Sequence, residues 1–194
     1  KRKVPPVDNI VFTPSTESGS FANSPDLESA GQSSDATLIL GDLSKNSATA
    51  AAIVNFIKSN ETPIYLTRDT IDLVSTGSAD FIDQNNLCWI GIMAQLQKLF
   101  KSLYYPKMLL LSQPLLPTLE ALHKFTLSYP STVVTLHEGQ IIVAAHGNIT
   151  TTPIEQTNYS PLSLWSGELA AKIAVFNLYN PKKPLEATTA ALLQ

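Results

Sequence analysis

The sequence predicts an α/β domain with a mainly parallel central sheet and helices on both faces. Three observations carry this. Short apolar runs of strand length alternate with longer stretches of helical periodicity from residue 36 onward. The 194 residues suit one domain. Strand–helix alternation also implies right-handed crossovers, which leave a sheet covered on both sides.

The elements follow in order. Residues 1–35 read as an N-terminal segment that ends in a long polar loop, because 14–35 is rich in Ser, Gly, Asn and Pro. The folded domain is expected over 36–194. Ala36–Leu40 is a short apolar run closed by Gly41 and reads as a buried strand. Ala48–Lys58 places Ile53, Phe56 and Ile57 on one helical face, with Ser47 as the expected N-cap. Pro63–Thr67 and Leu87–Ile92 read as further strands, and Ala94–Leu103 as a helix carrying Leu96, Leu99, Phe100 and Leu103. Leu115–Leu127 reads as a helix that tolerates Pro117 in its first turn, where a missing N–H costs little. Thr132–Leu136 and Gln140–Ala144 flank His137-Glu138-Gly139, a hairpin signal with Gly139 at a positive φ. Gly167–Tyr179 and Leu185–Leu193 read as the closing helices, separated by Pro181 and Pro184.

Composition narrows the function classes. Apolar residues make up 44% of the chain, but no run approaches the roughly 20 residues of a membrane helix. The opening Lys1-Arg2-Lys3 lacks the apolar stretch of a signal peptide behind it and reads as a solvated tail, so a cytoplasmic protein with no membrane partner is expected. A net charge of −3 offers no basic face for a phosphate backbone, which argues against a nucleic-acid partner. The single Cys88 sits in an apolar run and reads as a small buried hydrophobe. His123, His137 and His146 lack ligand spacing, so no protein metal site is expected.

Ligands in open α/β sheets bind beyond the carboxyl ends of the strands. That rule singles out Gly41–Ser47, Thr67–Asp72, Ile90–Gln95 and the approach to Glu168. Ser166-Gly167-Glu168 opens a helix, where free N–H groups and the helix dipole favour an anion and glycine lets a phosphate come close. A carboxylate there could take a proton from a hydroxyl, while the plainer reading makes Ser166 an N-cap and Glu168 a first-turn acid. Gly41-Asp42-Leu43-Ser44 joins a strand to a helix and could hold an anion or serve as an ordinary loop. Thr67-Arg68-Asp69 ends a strand, and its two charges could orient a polar ligand or magnesium, or pair with each other.

Taken in succession, these segments resemble the NAD(P)H-hydrate dehydratase family, whose fold is ribokinase-like. Leu38-Ile39-Leu40-Gly41-Asp42-Leu43-Ser44 stands where the family has a strand and Gly-Pro-Gly-Leu-Gly. Thr67-Arg68-Asp69-Thr70-Ile71-Asp72-Leu73 is similar to Asp-Ala-Asp-Ala-Leu-Asn-Leu, and Ile90–Gln95 stands at Thr-Pro-His-Pro-Gly-Glu. Leu136–Gln140 stands at the Lys-Gly-x-Gly-Thr hairpin and Trp165-Ser166-Gly167-Glu168 at Gly-Ser-Gly-Asp. The succession spans about residues 36–194 and starts about a third of the way into the family's fold, which implies a fragment or a shortened relative without the first strands.

The resemblance implies an enzyme that uses ADP or ATP, with Mg2+ as a companion ion, to phosphorylate the hydroxyl of hydrated NADH or NADPH. Phosphate then leaves and the nicotinamide is restored. It implies Glu168 as the base; Ser166, Gly167 and Gly139 against the nucleotide phosphates; and Gly41, Asp42 and Asp69 toward the substrate. It also implies nucleotide and dinucleotide partners and a homo-oligomer. The chain departs from the pattern at Trp165 for glycine, Ile92 for histidine, Gln95 for glutamate, Leu136 for lysine, Thr67 for aspartate and Glu168 for aspartate. These departures keep a second reading open, a ribokinase-like homologue that binds without catalysis. A third reading, another small-molecule kinase of the same fold such as a thiazole or pyrimidine kinase, shares the same turn.

Overall fold

The computed structural model describes residues 25–41, Leu43 and residues 45–194, together with Ser15 and Phe21. Six strands form one sheet: β1 (Thr37–Ile39), β2 (Ile64–Thr67), β3 (Leu87–Ile90), β4 (Thr132–His137), β5 (Gln140–Ala145) and β6 (Asn148–Pro153), in that spatial order. The pairs from β1 to β4 are parallel, and β4, β5 and β6 pair antiparallel. The helices are α1 (Pro25–Gln32), α2 (Ser47–Ser59), α3 (Asp69–Val74), α4 (Met93–Ser102), α5 (Leu115–Ser128), α6 (Glu168–Tyr179) and α7 (Pro184–Leu192).

Strand order dictates the layers. Each parallel crossover steps one strand in the same direction, so right-handed connections carry α2 to α5 onto one face. That leaves the opposite face bare until the chain returns after the hairpins, and α6 and α7 then cover it. Side-chain alternation matches. Ile64, Leu66, Leu87, Trp89 and Val133 pack with Ile53, Phe56, Leu96, Leu99 and Phe125 on the first face. Tyr65, Cys88, Ile90 and Val134 pack with Leu169, Ile173 and Leu192 on the second. Cys88 is buried as expected, and burial pushes its thiol well above the ordinary range.

Both antiparallel connections are two-residue turns with positive φ at each position: Glu138 (47°) and Gly139 (72°), then His146 (50°) and Gly147 (74°). Such turns follow the twist of the flanking strands. The second hairpin delivers β6, which the sequence reading misses. Its Asn-Ile-Thr-Thr-Thr-Pro run lies at the sheet edge and lacks apolar alternation.

Two further expectations change, and a stretch for which the sequence reading named no element gains structure. Helix α1 forms within residues read as a loop. The cap of α2 is Asn46, not Ser47: its side chain accepts the N–H of Ala48 at 2.7 Å. Between β2 and β3 the polar stretch folds as α3 followed by a 3-10 helix, Ser75–Asp80, which anchors Ile71 and Val74 in the core.

The first face contains an aromatic cluster. The Phe125 ring lies 4.2 Å from Phe100, 5.0 Å from Tyr129 and 5.3 Å from Tyr105, centroid to centroid. Phe125→Ala is expected to cost about 3–5 kcal/mol, a large share of a domain's stability, and chemical denaturation checks it. A loss under about 1 kcal/mol contradicts this packing.

Candidate functional site at the carboxyl edge of the sheet

The four parallel strands end on one edge, so the segments that follow them meet there. Gly41 follows β1. A Cβ on Gly41 would lie 2.8 Å from the Asp69 amide nitrogen and 2.9 Å from the Arg68 Cβ, so the β1 and β2 ends touch and only glycine fits. Asp42 lies outside the described residues. Arg68 takes φ 54° and ψ −138° just ahead of α3, a backbone conformation that costs on the order of 1–3 kcal/mol.

Gln95 holds that turn in place. Its side chain is buried, and Nε2 donates to the Arg68 carbonyl at 2.7 Å and to Asp72 Oδ2 at 2.9 Å. Its Oε1 accepts the Ile92 N–H at 3.2 Å. One amide therefore ties the end of β2, α3 and the start of α4 together. The sequence reading placed Gln95 at a strand end of interest and as a substituted family position, without this role. A glutamine at the start of a helix, three residues past a strand-ending Ile92, is a capping signal that could have revealed part of this role.

Lys98 completes the network through an ion pair with Asp72. Partial burial alone would raise the Asp72 pKa. The Lys98 and Gln95 hydrogen bonds and the positive charges of Lys98 and Lys45 outweigh it, so the carboxyl titrates below its ordinary range. Beside this network a groove of about 780 Å³ opens between the start of α2, α3 and α4, lined by Lys45, Asn46, Ser47, Asp69, Asp72 and Lys98.

The start of α6 reaches the same edge. Gly167 precedes the helix with φ 89°, and a Cβ there would lie 2.6 Å from Leu40 Cδ2 at the end of β1. Glycine is required twice, for the left-handed backbone and for the contact. The helix begins at Glu168 with Gly167 in the cap position. The expected cap, Ser166, lies one residue earlier, with its Oγ accepting the Glu168 N–H at 3.4 Å. Ser166 and Glu168 are exposed, while Trp165 is half-buried against the second core.

The remaining positions of the pattern are spread between surface and core. Gly139 is exposed at the β4–β5 turn, on the same edge of the sheet, with open space where a Cβ would stand. Leu136 packs against the second core, and Ile92 is exposed. Thr67 is fully buried, and its Oγ1 has no hydrogen-bond partner among the described residues. No group of three or more His, Cys, Asp and Glu side chains suited to a metal ion occurs among the described residues. Nor is any described helix long and apolar enough to cross a membrane.

Comparison with known proteins fits this geometry. No family model and no curated protein matches the sequence. A solved structure does: a ribokinase-like superfamily protein from Enterococcus faecalis, with a TM-score of 0.61 over 86% of this chain and 55% of that one. The fold is ribokinase-like. Identity to that protein is 15%, so the likeness is one of fold, and this chain spans about half of its length.

Two outcomes test the edge. Gly167→Ala is expected to destabilise the ribokinase-like domain by about 1–2 kcal/mol through the left-handed backbone, with the Leu40 overlap in addition. Adding Leu40→Ala should recover only the overlap. A Gly167→Ala variant as stable as the parent contradicts the geometry. For Asp72, a depressed folded pKa means its contribution is present above the unfolded value, near 4, and is lost as pH falls through the folded value. Asp72→Asn should flatten the stability curve in that acid window, by a small amount because Lys98 is largely exposed. An unchanged slope contradicts the pairing.

Proposed function

We propose that this chain is an ADP- or ATP-dependent NAD(P)H-hydrate dehydratase-like protein acting at the carboxyl edge of its sheet. The observation that carries this reading is the start of α6. The Gly167 backbone, pinned against Leu40, sets the exposed Glu168 carboxylate beside the end of β1, and the Gly41 contact brings Asp69 to the same edge. The N-terminus of a helix suits a phosphate, since its first amides and the helix dipole favour an anion.

In this reading the Ser166 and Gly167 backbone faces the nucleotide phosphates, and Gly41, Asp42 and Asp69 face the dinucleotide. Gly139 adds a backbone approach from the hairpin. Glu168 takes the proton of the substrate hydroxyl as that oxygen attacks the terminal phosphorus, and the bridging P–O bond breaks to release AMP from ADP or ADP from ATP. Phosphate then departs, and the nicotinamide double bond returns. Mg2+ accompanies the nucleotide as its usual counter-ion.

A second reading, binding without turnover, has a specific observation behind it. The Gln95 amide is committed to Arg68, Asp72 and Ile92, and Leu136 packs into the core. Two positions that bear charge in the resembled family are thus spent on scaffolding here, which weakens the preorganised electrostatics on which phosphoryl transfer relies.

One assay separates the readings. Hydrated NADH is mixed with the protein, Mg2+ and ADP or ATP, and the return of NADH absorbance is followed. Turnover that drops about 100-fold or more in Glu168→Gln, at unchanged melting temperature, supports the enzyme reading. A nucleotide-dependent rise in melting temperature without turnover supports binding alone. Neither turnover nor a shift refutes both.

A further inference from the structure

Away from the carboxyl-edge site, the surface around the end of α4 runs against the charge of the chain. The net charge is −3, yet no acidic residue occurs between Asp83 and Glu120, a stretch that contains Lys98, Lys101 and Lys107. The fold gathers these three lysines around one cleft of about 590 Å³, with Phe100, Tyr104 and Met108 among its other walls and no acidic side chain in its lining. Lys98 is held by Asp72. Lys101 and Lys107 are exposed and form no ion pair among the described residues.

The apolar part of this surface is unusually open. Tyr104 is 92% exposed and Met108 72%, and Leu110 and Leu111 further along the chain are exposed as well. Tyr104 is also placed against local preference. The end of α4 closes with the Tyr104 N–H on the Lys101 carbonyl and the Tyr105 N–H on the Phe100 carbonyl at 2.9 Å, which puts Tyr104 at φ 50° in the position where helices ordinarily have glycine. Local stability favours glycine there, so the exposed ring is retained in spite of its backbone.

Apolar surface ringed by cations calls for a complementary surface with an apolar anchor and flanking negative charge. A small anion would leave the Tyr104 and Met108 faces wet, and an uncharged partner would leave the lysines uncompensated. We propose that the α4-end cleft is a docking site for an acidic segment of a partner protein, with a large apolar side chain seated over Tyr104 and Met108 and carboxylates on Lys101 and Lys107. The cleft adjoins the carboxyl-edge groove, since Lys98 lines both, but Lys101 and Lys107 line the cleft alone.

The test uses the full chain and a dye-labelled peptide in which one phenylalanine is flanked on both sides by glutamates, read by fluorescence anisotropy. Saturable binding is expected that weakens with salt and falls about 10-fold or more in K101E/K107E, with the melting temperature unchanged. Replacing the peptide phenylalanine by serine should lower binding as strongly, a comparison that leaves the protein untouched. Amide shifts in the peptide complex should cluster at Lys101, Tyr104 and Met108. The proposal is overturned if a peptide with lysines in place of the glutamates binds equally well, if the serine peptide binds as tightly as its parent, or if the amide shifts fall elsewhere. It is also overturned if phosphatidylserine vesicles bind the chain while the acidic peptide does not.

Discussion

A missing side chain sets the geometry of this molecule. Gly167 sits against Leu40 so closely that not even a methyl group fits, and its φ of 89° turns the chain into α6 at that point. The contact joins the two layers at the rim of the sheet: β1 ends on one side of it and the helix covering the second face begins on the other. Because α6 starts there, its first turn and Glu168 come to the edge where β1, β2 and β3 release their loops. The Gly41 contact with Arg68 and Asp69 repeats the device one strand over, and the Gln95 amide fixes the strained Arg68 turn from beneath. Two glycines and one buried amide thus assemble the edge.

The scaffold behind that edge follows from strand order. With every parallel step in one direction, the crossover helices share a face, and the chain must supply a second layer from its C-terminal part. This is why α6 and α7 come after the hairpins and why the antiparallel strands lie between the two sets of helices in sequence. The topology also explains the composition of the strands. β2 and β3 are buried throughout and read as continuous apolar runs, while β1 and β6 lie at the margins and are only partly covered.

Much of this was legible because it rests on apolar periodicity. Ile53, Phe56 and Ile57, or Leu96, Leu99 and Phe100, announce a helix face whatever surrounds them. The β4–β5 hairpin was legible for a different reason: Gly139 marks a backbone region that few residues enter. What escaped was held by long-range polar contacts. Helix α3 begins at a strained Arg68 whose carbonyl is satisfied by Gln95, 27 residues away, and no local pattern encodes that pairing. The β6 strand owes its place to backbone pairing with β5 across a second turn; Gly147 marks that turn as Gly139 marks the first, but the Asn-Ile-Thr-Thr-Thr-Pro run behind it lacks apolar alternation. The candidate site was legible as a succession of segments, since the strand ends are local features. Their meeting through Leu40–Gly167 and Gly41–Asp69 was not, because those contacts span the sheet.

The central claim is that the amides at the start of α6 face a place where an anion can sit. Titration of the full chain with ADP and Mg2+, followed by backbone amide NMR, tests it most directly. The account predicts saturable shifts centred on Ser166, Gly167 and Glu168, with a smaller response at Gly41 and Asp69. No response at those amides up to millimolar ADP, or shifts confined to other surfaces, would contradict it.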